Sequence, residues 1–152
     1  MPEKEIVERA QQDAREGRSP STQAGEFVRE EIDHVREGKH GAASTKQAIA
    51  IGLSKARRAG VELQTPRKGQ ASEQTIKQAK RDERKGRSHS AGMPSANRSR
   101  ATVQALKKEG HRAASHASLS RQARTAAKKR GAEAAHNSGV KASQTRRRTT
   151  KS

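Results

Sequence analysis

The uneven distribution of large apolar residues most constrains what this chain can fold into. Eleven Ile, Leu, Val and Phe residues precede residue 66 and five follow it, and Phe27 is the only aromatic residue. Burial of apolar area, at about 25 cal/mol per Å², has to offset an ordering cost of about 1–2 kcal/mol per residue. Because only 28% of the chain is hydrophobic, we expect any tertiary core to lie within the first 65 residues.

Charge divides the chain at the same point. Residues 1–65 hold 11 Lys and Arg and 11 Asp and Glu, whereas residues 66–152 hold 23 and 5, which is the whole net charge of +18. A half-chain with this excess repels itself and attracts polyanions by releasing their condensed counterions. Nucleic acid is the most abundant partner of that kind.

The segment STKQAIAIGLSKARRAG carries the clearest helix signals. Ser44 can cap its first turn, and Gln47, three residues on, completes a capping box. Ile49, Leu53 and Ala56 recur at i, i+4 and i+7 and predict one apolar face, while cations and a glycine occupy the C-terminal end. The segment is therefore predicted to be a helix that packs on one side and presents charge on the other.

Two further helices are predicted before it, over residues 2–17 and 21–38, with Pro20 breaking the chain between them. A glycine inside the second helix hints at close packing or at a later start. The predicted fold class is all-α. A small, neutral N-terminal module of a helix plus an αα-hairpin occupies residues 1–63, and a linker follows over residues 64–71.

Beyond the linker the same pattern recurs, for example from Ser72 to Gly86: a Ser, about a dozen helix-forming residues, cations and a Gly that is expected to end the helix. The sequence RAAS before Gly131 also matches GAAS before Gly60 in its spacing. Short basic helices are marginal in water, so we expect basic helix-turn segments over residues 72–131 that fold when a polyanion neutralises them. Residues 132–152 have no apolar period and are predicted to form a disordered basic tail.

Cations at helical spacing indicate phosphate contacts. Arg121, Arg124 and Lys128 fall at i, i+3 and i+7. A lone stripe of this kind is usually a solvated face, but the bias of the half-chain favours phosphate binding, which gives affinity without sequence choice. The predicted nucleic-acid-binding residues are Lys107, Lys108, Arg112, Arg121, Arg124, Lys128, Lys129, Arg130, Arg146, Arg147 and Arg148.

The N-terminal hairpin invites a helix-turn-helix interpretation, with Lys46, Gln47 and residues 55–58 facing DNA. We favour an interaction role, because the tight turn of that motif is missing and the acidic residues would repel phosphate. The predicted face for self-association or another protein partner consists of Val28, Ile32, Val35, Ile49 and Leu53.

No catalytic constellation, phosphate loop or metal-ligand spacing can be assembled, so we expect a non-enzyme without cofactor, metal or small-molecule substrate. The six histidines, His34, His40, His89, His111, His116 and His136, are expected at the surface. No apolar run approaches the ~20 residues of a membrane span, and no signal peptide is evident. We expect a cytoplasmic protein.

The segment KQAIAIGLSKARRAG (46–60), with REGKHG (36–41) and STQAGEFV (21–28) before it, resembles an uncharacterised family of small basic bacterial proteins. The resemblance covers about residues 1–63 and implies a bacterial origin but no activity. The basic half is loosely similar to bacterial histone H1-like tails.

These features favour a bacterial, nucleoid-associated protein that binds duplex DNA through phosphates without sequence preference. The lack of aromatic residues in the basic half disfavours base stacking on single strands. One alternative is binding of structured RNA, for instance on the ribosome. Another is a stress hydrophilin, a disordered protectant that binds polyanions weakly.

Overall fold

A computed structural model describes residues 3–88 and 95–149. Among these residues it contains six α-helices, one 3₁₀ turn and no β-strand, which confirms the all-α class. The helices are α1 (Lys4–Arg15), α2 (Pro20–Arg36), α3 (Thr45–Arg58), α4 (Glu73–Ser88), α5 (Ala96–Lys107) and α6 (His116–Thr149), and the 3₁₀ turn is Arg112–Ala114. The chain divides into two compact units, Met1–Ser115 and His116–Ser152. None of the helices in the described ranges combines the length and apolar character that crossing a membrane requires.

The start of α2 differs from the expected one. Pro20 was expected to lie in the break between two helices, but it is the first residue of α2. At that position its missing N–H removes no intrahelical hydrogen bond. The side chain of Ser19 accepts a hydrogen bond from the backbone N–H of Thr22 at 3.3 Å and so caps the helix. At the end of α1, Gly17 adopts the left-handed conformation, with φ of 73°.

The predicted caps of α3 are present. Ser44 Oγ accepts from Gln47 N at 3.1 Å, and Gln47 Oε1 accepts in return from Ala43 N at 2.7 Å. The reciprocal bond therefore reaches one residue further back than in a standard capping box. Gly60, with φ of 96°, follows the C-terminal end as expected.

Replacing Ser44 with alanine is expected to lower the free energy of unfolding by about 1 kcal/mol, because the N–H of Gln47 loses its partner. Ser99→Ala, at an exposed site inside α5, is the control and should change stability by less than about 0.5 kcal/mol. Denaturant unfolding followed by circular dichroism measures both. Equal midpoints for the two variants would contradict the assigned cap.

Two core clusters form among the described residues, and the first of them joins α1, α2 and α3. Its buried members are Ala10, Ala24, Phe27, Ala56 and Val61. Half-buried Ile6, Val7, Leu53 and Leu63 pack against them.

Up to residue 56, the buried residues of α3 are all small. They are Thr45, Ala48, Gly52 and Ala56, whereas Ile49 of the predicted face is half-buried. A Cβ placed on Gly52 would lie 2.7 Å from the Cα of Val28 on α2. The two helices therefore approach closely because no side chain stands between them.

The second cluster joins the GAAS segment (41–44) to the RAAS segment (112–115), which the sequence shows to be alike. Ala42 and Ala113 are buried in it together with Val35. Ala42 N donates to Gly110 O at 3.1 Å, and Thr45 Oγ1 donates to Ala113 O at 2.6 Å. The core thus extends beyond the first 65 residues, because alanines, which an inventory of large apolar residues omits, supply the added contacts.

Helix α4 packs against α3. Its buried residues Ala79, Asp82 and Gly86 lie at i, i+3 and i+7. Gly86, which the sequence suggested as a helix end, lies inside α4 against the backbone carbonyl of Arg57, where a Cβ would collide. The packed unit therefore continues past residue 63, and folding on binding stays a prediction for α5 and α6.

Helix α6 continues through Gly131 to Thr149, whereas the sequence placed a helix end at Gly131 and a disordered tail from residue 132. Ala, Gln, Lys and Arg favour helix strongly, and an internal glycine costs only about 1 kcal/mol. Residues 150–152 of the predicted tail lie outside the described residues.

Candidate nucleic-acid interface

The side of α4 that faces away from α3 is strongly basic. Lys77, Arg81 and Arg84 lie at i, i+4 and i+7, opposite the buried Asp82, and Lys80 and Lys85 flank them. We call these five exposed cations the basic face of α4. None of them has an ion pair with any described residue. The sequence prediction missed this face, although the spacing of its cations was visible.

Asp82 fixes the opposite side of α4. Its carboxylate accepts hydrogen bonds from Ser54 Oγ at 2.6 Å, Arg58 Nε at 2.7 Å and, within the helix, Gln78 Nε2 at 3.0 Å. Burial raises the pKa of Asp82, but the hydrogen bonds from Ser54, Arg58 and Gln78 outweigh it and hold the pKa below its usual value. The carboxylate therefore stays charged at neutral pH and holds α4 while the cations point outward.

The predicted stripe on α6 is also exposed. Arg121, Arg124 and Lys128 lie along one side of the helix, and none of the three has an ion pair among the described residues. Lys129 and Arg130 are exposed as well, but Arg130 lies on the opposite side. Residues 146–148 lie within α6, but their side chains are not among those that the structure describes.

The other three predicted cations occupy the end of α5 and the 3₁₀ turn. Lys107, Lys108 and Arg112 are all exposed. The turn packs on α2 and α3, and α4 packs on α3, but the turn and α4 do not contact each other. Arg112 and the basic face of α4 are therefore separate patches of the first unit.

Most cations of the N-terminal hairpin are engaged within the fold. Lys55 pairs with Glu30 at 3.4 Å and with Glu31 at 2.8 Å, and Arg58 pairs with Asp82. Arg57 is buried, and its burial lowers its pKa against the opposing effect of nearby carboxylates. Among residues 55–58 no cation is left free for DNA, so the helix-turn-helix interpretation loses most of its expected cations and keeps Lys46, which is exposed.

The predicted protein-partner face serves the chain's own packing. Val35 has 0% exposure and lies in the second cluster, against which Ile32 packs. Leu53 packs against the first cluster, and Val28 lies beside Gly52 at the crossing of α2 and α3. Ile49 is half-buried. A partner would reach only the outer parts of this set, and not Val35.

Two histidines depart from the expected surface position. The side chains of His34 and His40 are each 15% exposed, and with Glu31 they offer three ligand atoms within 4.8 Å of one another. His111 and His116 are exposed as expected. His89 lies outside the described residues, as does the side chain of His136. Sequence spacing missed the pair because a turn, not a helix, returns His40 to the end of α2.

Comparison with known proteins gives a match to part of the chain. A family model described as a family of unknown function (DUF6496) matches residues 17–69, which include α2, α3 and the segment 46–60 on which an uncharacterised family was expected. No curated protein and no solved structure matches the chain. Over about a third of its length, centred on the helical hairpin, this chain is thus similar to DUF6496.

Proposed function

We propose that this protein binds duplex DNA through its phosphates without sequence preference, and that the basic face of α4 is its principal contact. The observation that carries the proposal is the division of α4 into two sides. The buried side holds Asp82 against Ser54 and Arg58, while the other side carries five exposed cations that form no ion pair with a described residue. The cations therefore stand on a helix whose position the fold has already set.

A fixed helix has an advantage in phosphate binding. Disordered basic segments lose conformational entropy when they bind, whereas cations on a packed helix lose mainly side-chain freedom. The exposed stripe on α6, formed by Arg121, Arg124 and Lys128, adds a second set of contacts. Both sets neutralise phosphates and release counterions, so affinity should fall steeply with salt.

The biological setting we propose is a bacterial nucleoid-associated, non-enzymatic protein. The excess of 23 Lys and Arg over 5 Asp and Glu in residues 66–152 supports it, as does the loosely histone H1-like composition of that half. In this setting the neutral hairpin contacts partners or a second copy through the surface that its own core leaves free.

The test is binding of a fluorescent 30-bp duplex to the full chain across a salt series. Replacing Lys77, Arg81 and Arg84 together with Gln is expected to weaken binding at least tenfold at physiological salt. The slope of log Kd against log salt should fall by about 0.9 for each phosphate that the variant no longer neutralises. Full-chain variants are preferable to a piece ending at residue 65, because such a piece would lack α4 and uncover the surface of α3 on which it packs.

The matched control removes the same charge elsewhere. Arg15, Arg29 and Lys46 are exposed and have no ion pair among the described residues, so the triple Gln variant at these positions should retain most of the affinity and slope. Equal losses in the two triple variants would show that binding follows net charge alone and would refute the role of α4.

Competition separates the remaining alternatives. Duplex DNA should displace the labelled probe more effectively than folded RNA of equal length. Stronger competition by folded RNA would favour a structured-RNA or ribosome-associated role. If the full chain did not bind duplex DNA at physiological salt, the DNA proposal would fail, and salt-insensitive protection of enzymes during drying would then support the protectant function.

A further inference from the structure

A carboxylate and two imidazoles meet at the C-terminal end of α2. Glu31 and His34 lie one turn apart on the helix. Gly38, with φ of 75°, turns the chain beyond the helix end, and His40 returns so that its ring centroid is 6.0 Å from that of His34. One ligand atom from each of Glu31, His34 and His40 lies within 4.8 Å of the other two.

The orientation of His40 leaves a lone pair aimed at a carboxylate. Its Nδ1 lies 3.0 Å from the carbonyl oxygen of Gly41. A carbonyl only accepts, so Nδ1 carries the proton of this bond. In the neutral ring, Nε2 then presents its lone pair to Glu31 Oε1 at 3.2 Å. Two acceptors at this distance repel each other unless a cation, either a proton on His40 or a metal ion, lies between them.

Glu31 has capacity left for such a cation. The residue is 1% exposed, and neither of its carboxylate oxygens accepts an aligned hydrogen bond from the part of the chain that the structure describes. Lys55 Nζ lies 2.8 Å from Oε2 and neutralises that side, while Oε1 faces His40. A buried oxygen without a hydrogen bond is costly, and coordination to a metal ion would remove the cost.

The surrounding charge is negative. Glu3 lies 3.5 Å from His34 Nε2, and Glu30 shares Lys55 with Glu31. Two cations, Lys39 beside Glu3 and Lys55, face the three carboxylates Glu3, Glu30 and Glu31. Among the described residues the carboxylates around this point therefore outnumber the cations, which favours a positively charged ligand.

From this geometry we propose that Glu31, His34 and His40 bind one divalent transition-metal ion, with Zn²⁺ as the representative of the class. Two imidazole nitrogens and a carboxylate oxygen are ligands that zinc prefers, and a hydrogen bond from the second ring nitrogen to a backbone carbonyl is the usual support of a histidine ligand. Glu3 or water completes the coordination. The ion links the end of α2 to the segment 39–43, which hydrogen-bonds to residues 106–110.

The test is a titration of the metal-stripped full chain with Zn²⁺ in competition with a chromophoric chelator, together with thermal unfolding. We expect one equivalent to bind and to raise the unfolding midpoint. His34→Gln and His40→Gln should each weaken Zn²⁺ binding at least tenfold and remove the shift. His116→Gln, at an exposed histidine in α6, is the matched control and should bind like the wild type.

Absence of stoichiometric binding, or wild-type affinity in both variants, would overturn the proposal. The wild-type chain provides a measurement that does not depend on whether the variants fold. One equivalent of Zn²⁺ should shift the imidazole NMR signals of two of the six histidines and leave the other four in place. Shifts spread over all six, or confined to histidines with exposed rings, would also overturn it. None of these readouts depends on DNA binding.

Discussion

Replacing Gly52 with alanine is expected to lower the free energy of unfolding by about 2 kcal/mol, the middle of the range for an overpacked core. A Cβ at this position would lie 2.7 Å from Val28 Cα and 3.0 Å from Phe27 O. Both atoms belong to the backbone of α2, so α2 and α3 would have to separate along their shared face. In a helix without a close neighbour, the same substitution would raise the free energy of unfolding by about 1 kcal/mol. A loss of stability would therefore identify the close crossing of the two helices.

Gly25 provides the matched control for this prediction. It lies inside α2, and a Cβ added there would have no atom of another described segment within 4 Å, so Gly25→Ala should stabilise the protein by roughly 0.5–1 kcal/mol. The sequence suggested close packing or a later helix start at Gly25, but α2 begins at Pro20 and the close packing lies at Gly52. Denaturant unfolding shows whether each variant has a higher or a lower free energy of unfolding than the wild type. Stabilisation by both substitutions would disprove the close approach of α2 to α3.

Replacing Asp82 with alanine is expected to lower the free energy of unfolding by about 2–3 kcal/mol. Loss of one partner from a buried ion pair costs about 3–5 kcal/mol, and the value here is reduced because the side chain of Arg58 is 44% exposed. The hydroxyl of Ser54 also loses its acceptor. Glu62→Ala, which removes an exposed acid, is the control and should have little effect; equal losses would mean that Asp82 does not hold α4.

The same carboxylate makes stability depend on pH. Burial raises the pKa of Asp82, but its hydrogen bonds lower it more, so the pKa in the folded state lies below the unfolded value. The stabilisation is therefore complete above the unfolded pKa of about 3.9 and is lost as pH falls through the folded pKa. The difference in unfolding free energy between wild type and the Asp82→Ala variant should shrink below about pH 4. A difference that stayed constant from neutral to acid pH would contradict this role.

Local signals in the sequence predicted most helix positions and their caps. Ser44 caps α3 and Gly60 follows its end because both roles depend on neighbouring residues alone. The predicted end at Gly86 was wrong, since that glycine lies against the carbonyl of Arg57, 29 positions earlier in the chain. A contact over that separation leaves no local pattern.

The candidate site divides in the same way. The stripe on α6 follows from spacing along one helix, and the structure shows its cations exposed. The packing of Asp82 on α3 is what turns the basic face of α4 toward solvent. The cluster of Glu31, His34 and His40 forms only because the turn after α2 brings His40 back to the helix.

The sequence by itself determined the all-α class, the helix caps and the separation of a neutral half from a basic one, because propensity, capping and charge act between close neighbours or through simple sums. Only the tertiary structure decided which small residues let helices approach, which acids are buried and which cations remain free. Those outcomes depend on pairs such as Arg58 and Asp82, 24 residues apart, and such pairs form only when the helices pack.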